Sequence, residues 1–182
     1  MPETFQTPQG TFDVMPPDSR AYETLVSRFA TRVERAGYGL VISPMFEDVG
    51  VFRRVGESTD VVRKEMYDFF DKGDPPRHLA LRPEGTASVV RAYVQHRPTP
   101  PWKTWYAAPS FRYERAQAGR YRQHHQLGVE VLGSEDPLLD VEVIDLLVGF
   151  YNELGLRHLS LRINSLGDAV CRPAYRVLPG KG

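Results

Sequence analysis

The sequence predicts an α+β domain, an antiparallel sheet flanked by helices. Three observations predict it. Helical and strand-like periodicities are mixed along the chain instead of alternating as regular βαβ units. The strand-like segments come in neighbouring pairs joined by turn residues, as hairpins do. A long apolar helical stretch, bounded by Asp136 and Gly155, supplies a helix to flank the sheet.

The elements follow in order. Residues 1–17 are Pro-rich, end in Pro16-Pro17 and read as irregular. A helix starts near Asp18, with Tyr22, Leu25, Val26, Phe29 and Val33 at helical spacing and Gly37 as its stop. Residues 38–42 look like a strand ended by Pro44, and 47–55 read as either a short helix or a loop. Segments 65–70 and 78–81 resemble two strands around a Gly-Asp-Pro-Pro turn. Pro83 suits the first turn of a helix that runs to about His96 and buries Ala87, Val90 and either Tyr93 or Val94. Segments 102–108 and 110–115 are strand-like, and 121–132 forms the second arm of a hairpin. Asp136 caps the long helix, which carries too many apolar residues for one stripe and is expected to be buried on two sides. Residues 159–163 read as a final strand before an Asn-Ser-Leu-Gly turn.

At 182 residues, 41% hydrophobic and 25% charged, the chain can bury one sizeable core. Its 23 basic and 23 acidic residues cancel, so no global field marks a nucleic-acid binder, although a local basic patch stays open. Lysine occurs only at Lys64, Lys72, Lys103 and Lys181; the remaining basic residues are Arg. Arg suits two-pronged gripping of carboxylate or phosphate, and a GC-rich genome gives the same skew. Cys171 is the single cysteine, which excludes an intramolecular disulfide and a Cys-based metal site and fits a reducing compartment. Residues 1–10 lack the apolar run of a signal peptide, and no stretch has membrane-spanning length. A cytoplasmic location is the expectation.

The segment Phe111 to Glu130 carries the chemistry. Because strands alternate faces, Arg112 and Glu114 point one way, and Arg122, His124, Gln126, Gly128 and Glu130 share a face. Leu127, Val129 and Val131 share the apolar opposite face. The polar face suits a phosphate at one end and an amine or imidazole at the other, with Gly128 admitting a ligand closely. The plainer reading is a solvated hairpin with cross-strand charge pairs, worth a few tenths of a kcal/mol each.

These residues resemble a known family. Ser43-Pro44-Met45-Phe46-Glu47, Lys64-Glu65-Met66-Tyr67 with Phe69 and Asp71, and Leu81-Arg82-Pro83-Glu84-Gly85-Thr86 come first. Phe111-Arg112-Tyr113-Glu114-Arg115, the run from Gln123 to Glu130, and Asn164-Ser165-Leu166-Gly167 follow in the same order. Together they resemble the N-terminal part of the catalytic domain of histidyl-tRNA synthetases, class II aminoacyl-tRNA synthetases, from Gly10 to about Arg176.

The resemblance implies a class II core, incomplete here, and ATP- and Mg²⁺-dependent activation of histidine to histidyl-adenylate, followed by transfer to tRNA(His). It implies a homodimer with Pro44 at the interface and no dedicated metal cage. Arg112 would be the catalytic ligand of the α-phosphate; a salt bridge to Glu114 or Glu130 is its plainer role. Glu114 would accept from the adenine amino group, and Arg120 would reach the outer phosphates, unless they are merely a solvated carboxylate and a loop arginine. Glu84, Gly85 and Thr86, assisted by Gln126, would hold the histidine α-amino group; helix capping is the alternative for Glu84. Glu130 would bind the imidazole and reject amino acids that cannot donate to it, or else be a structural carboxylate at a strand end.

There are departures. His124 stands where the family has Phe stacking on adenine, Ala116 replaces a loop Pro, and Ser110 an apolar residue. Residues 1–176 are expected to be a partial catalytic domain with motifs 1 and 2, and 177–182 an unrelated tail. The expectation is that motif 3, a catalytic arginine and the anticodon-binding domain are missing, with weak or no turnover of the chain alone. Two other readings compete: the non-catalytic histidine-binding regulatory subunit of ATP phosphoribosyltransferase, and a truncated dimerisation module.

Overall fold

The computed structural model describes residues 4–56, 65–115, 117, 119–164, 167–168 and 170–176. Lys64, Ala116, Ser165 and Leu166 of the family motifs, and the tail 177–182, lie outside the described residues. The chain divides into two compact units, residues 1–150 and 151–182.

The first unit contains α1 (Asp18–Arg35), β1 (Gly39–Leu40), β2 (Phe46–Asp48), α2 (Val49–Gly56), β3 (Asp68–Phe70) and β4 (His78–Leu81). It continues with α3 (Thr86–His96), β5 (Trp102–Phe111), β6 (Gln123–Leu132) and most of α4 (Pro137–Glu153). The α+β class holds, with the strands in two three-stranded sheets. One has the order β1-β5-β6 and the other β2-β4-β3. Every pairing is antiparallel except β1 with β5, which is parallel. The undecided stretch 47–55 resolves into the end of β2 and most of α2.

Helix α1 buries Phe29 and Val33, and its last turn places Arg32 and Arg35 at the negative end of the helix dipole. Gly37, at φ +87°, lets the chain leave the helix at no steric cost. The chain then enters β1, where the buried Thr104 hydroxyl of β5 donates to Gly39 O at 2.8 Å. Phe29 meets Trp105 and Phe150 edge-on, at 6.0 and 5.2 Å between ring centres, joining α1, β5 and α4. Arg32 crosses α4 over Gly149, donating to Leu146 O at 2.9 Å. A part-buried tie closes the same layer: Tyr38 Oη donates to Glu142 at 2.8 Å, and Lys103 Nζ lies 2.7 Å from the same carboxylate. The Lys103 hydrogen bond pulls the Glu142 pKa down, while burial pushes the Tyr38 hydroxyl up. A second cluster, Val49, Phe52, Ala80 and Ala87, packs α2 and α3 on β4.

Several expectations are corrected. Residues 102–111 form one unbroken strand; beyond Trp105 no β1 residue lies along that edge, and Pro109 is tolerated there. Arg112 to Arg115 lie past its last ladder pair, Phe111 with Gln123, so the first arm ends earlier and the loop is longer than expected. Helix α3 begins at Thr86, three residues after Pro83, because the Glu84 carboxylate caps Thr86 N and Ala87 N. It buries Ala87, Ser88 and Val89, while Val94 is exposed. Helix α4 is capped by Asp136, whose Oδ1 accepts from Leu138 N at 2.9 Å. It buries only Leu146 and Phe150, leaving Leu138, Val141 and Leu147 exposed, because α1 and β5 cover one side only among the described residues. In the second unit, which contains α5 (Cys171–Arg176), residues 159–163 are not a strand. No described strand pairs with them, and Leu159, Leu161 and Ile163 are exposed.

Candidate active site

The β5–β6 register builds the site. It sets Thr104 opposite Glu130, Tyr106 opposite Gly128, Ala108 opposite Gln126 and Ser110 opposite His124. Alternation puts all eight on one face, so the polar side chains of β6 are strung along one strand. They fall into two groups.

The first surrounds the start of α3. Glu84 accepts from Thr86 N at 2.6 Å and Ala87 N at 2.8 Å, so its capping role is realised. Thr86 Oγ1 donates to Glu130 Oε1 at 2.6 Å, with Tyr106 Oη 3.5 Å from the same oxygen. Gln126 Oε1 accepts from Gly85 N at 3.3 Å and Ser110 Oγ at 3.4 Å. Burial pushes the Glu130 pKa up, and the negative charge of Glu84 adds to it; the Thr86 and Tyr106 hydrogen bonds oppose both. Burial also raises the Tyr106 hydroxyl, reinforced by the charge of Glu130. Among the described residues neither carboxylate has a cationic partner. Two carboxylates beside hydroxyl and amide groups form a receptor for an ammonium or another N–H donor.

The second group lines a cavity of about 310 Å³ formed by Glu65, Arg112, Glu114, Gly119, Arg120, Tyr121 and His124. Arg112 donates through Nε to Pro83 O at 2.9 Å; its Nη groups have no partner among the described residues. The salt bridges to Glu114 or Glu130 that would make Arg112 structural are not formed. Glu114 faces Arg120 instead, at 3.8 Å, a long pair whose Arg120 end is exposed to solvent and therefore weak. Burial lowers the His124 pKa, with the Arg112 charge second, which keeps the imidazole neutral at neutral pH and suited to stacking. Arg122 is committed elsewhere, over the Tyr113 ring at 4.2 Å and to Glu114 O at 3.2 Å. Pro44 is exposed and outside both groups, and its carbonyl accepts from Arg82 at 3.4 Å.

Two residues escaped sequence reasoning. Glu65 enters through the pairing of Tyr113 N with Glu65 O at 2.6 Å, which no local pattern encodes. Tyr106 is the more telling. Its ring lies between Gly85 and Gly128, and a Cβ on either glycine would overlap it. What approaches Gly128 is therefore Tyr106, not a ligand; the signal was a glycine mid-strand, but its partner needed the register. Gly128→Ala is expected to destabilise the fold by about 1–3 kcal/mol, the range for an overpacked site. Urea unfolding checks it; an unchanged midpoint would mean that the ring swings away freely.

Comparison with known proteins places the chain in a family. The family model for histidyl-tRNA synthetase matches residues 10–172. The chain is 52% identical over 178 residues to a histidine–tRNA ligase of Mycobacterium marinum, covering 96% of this chain and 42% of that protein. It is 49% identical over 173 residues to one of Staphylococcus epidermidis, covering 92% and 40%. The apo histidyl-tRNA synthetase of S. aureus superposes with a TM-score of 0.79 at 38% identity, over 94% of this chain and 40% of that one. A Bacillus halodurans protein described as an ATP phosphoribosyltransferase regulatory subunit/histidyl-tRNA synthetase shares the fold, with a TM-score of 0.72 at 24% identity, over 86% and 40%. The chain thus spans about two-fifths of the length of the relatives it matches. With the family model covering most of its length and these identities, the chain belongs to the histidyl-tRNA synthetase family.

Proposed function

We propose that residues 1–176 carry the amino-acid and nucleotide face of a class II histidine–tRNA ligase, acting in the cytoplasm as a homodimer that contains Pro44 at its interface. The observation that carries this reading is the order of side chains along β6. His124 sits with Arg112 and Glu114 at one end, and Glu130 with Thr86 and Glu84 at the other. Six residues of strand separate them by roughly 20 Å, which suits a ligand with a nucleotide at one end and an amino acid at the other.

In the reaction, a histidine carboxylate oxygen forms a bond to the α-phosphorus of ATP, and the bond to pyrophosphate breaks. A hydroxyl oxygen at the tRNA 3′ end then forms an ester bond to the histidyl carbonyl carbon, the bond to the adenylate phosphate breaks, and AMP leaves with the hydroxyl proton passing to solvent. The chain's contribution is position and charge. Arg112 neutralises the α-phosphate, Arg120 reaches the outer phosphates, and Glu114 accepts from the adenine amino group. Glu84 and Thr86 receive the ammonium, aided by Gly85 and Gln126, and Glu130 receives the imidazole N–H. Magnesium arrives as the ATP complex and is held chiefly by the phosphates.

Calorimetric titration of the chain with histidine and with MgATP tests the reading. Binding of both supports it. Histidine binding without ATP binding favours a regulatory relative. A folded chain that binds neither is at most a dimerisation module.

A further inference from the structure

Arg82 is 4% exposed, yet its guanidinium meets no carboxylate within ion-pair distance among the described residues. It binds oxygens of two separate segments instead. Nε donates to Pro109 O of β5 at 2.7 Å. One Nη donates to Ser43 O at 3.1 Å, Ser43 Oγ at 3.0 Å and Pro44 O at 3.4 Å. Its backbone is equally committed: Arg82 N donates to Met45 O, and Phe111 N donates to Arg82 O, both at 2.9 Å. Burying a guanidinium is costly, and hydrogen-bonded oxygens offset that cost only if they are held in place. The carbonyl of the next residue, Pro83, is the one on which Arg112 Nε rests.

We propose that Arg82 is a positioning residue for Arg112. By bolting the Ser43–Pro44 loop to β5, it fixes the Pro83 carbonyl and so aims the Arg112 guanidinium at the nucleotide cavity. The inference rests on the proposed ATP site. Arg82 touches no substrate; it acts through the Arg112–Pro83 contact. A Lys here keeps the charge but cannot span Pro109 and Ser43 with a planar fork.

The test is a double-mutant cycle on MgATP affinity, measured by calorimetry with the chain, R82K, R112Q and the double variant, each checked for folding by thermal melting. R82K is expected to weaken ATP binding about tenfold, the scale of one hydrogen bond to a charged group. In the R112Q background the same change is expected to have almost no effect, because the residue through which it acts is gone. A merely structural role would give equal losses in both backgrounds, and that result, or unchanged affinity in R82K, overturns the inference alone. If the wild-type chain binds no ATP, the nucleotide-site reading falls and this inference falls with it. Should R82K not fold, Ser43→Ala replaces it in the cycle. It deletes only the Oγ acceptor and is expected to cost about two- to threefold, again only when Arg112 is present.

Discussion

Arg112→Gln is expected to weaken MgATP binding about 10- to 150-fold while leaving histidine binding within about twofold, the loss of one hydrogen-bonded charge costing about 1.5–3 kcal/mol. The asymmetry follows from the geometry. Arg112 lines the cavity proposed for the nucleotide, and its one side-chain hydrogen bond among the described residues, through Nε to Pro83 O, can be kept by a glutamine amide. Histidine would contact the other end of β6, where Arg112 makes no bond. Arg112→Lys is expected to recover part of the loss, since it restores charge but not the fork. Parallel titrations of the three proteins decide the matter. Equal losses of ATP and histidine affinity in the glutamine variant would show that Arg112 holds the fold instead of the phosphate.

Glu130→Gln should act in opposite directions on function and stability. Histidine affinity is expected to fall about 30- to 150-fold, because the imidazole loses a charged acceptor worth about 2–3 kcal/mol. Stability is expected to rise at high pH. The folded-state pKa of Glu130 is raised, first by burial and then by Glu84, so keeping it ionised costs stability. The sign is that of any group with an elevated folded pKa: its contribution is full below the unfolded pKa and is lost as pH rises through the folded value. Gln carries no such penalty, and its carbonyl can still accept from Thr86 Oγ1. The variant should therefore melt above the parent at pH 8, and the two should converge as the pH approaches 4. A variant that melts lower at pH 8 would mean that the carboxylate stabilises the start of α3, making it structural.

Much of the chain was legible without coordinates wherever the governing interaction is local. Asp136 capping α4, Gly37 closing α1, and the Gly-Asp-Pro-Pro turn between β3 and β4 are decided within a few residues, by caps and permitted dihedrals. The motifs that carry the family resemblance were legible in the same way, and the family match bears them out. So was the alternation that strings His124, Gln126, Gly128 and Glu130 along one face, because a strand has a period of two whatever it pairs with.

Tertiary structure decided the rest, because those features depend on a partner far away in sequence. The parallel pairing of β1, the single strand through Pro109 and the exposed side of α4 all turn on what lies beside an element, not on its own pattern. Register decided that Tyr106, not a ligand, fills the space at Gly128. It also left Arg112 free of the carboxylates it was equally able to pair with on composition alone, and set it on the Pro83 carbonyl. The sequence by itself determined which chemical groups the site holds and their order along β6. Only folding, by fixing long-range register and burial, decided which of those groups already have partners within the chain.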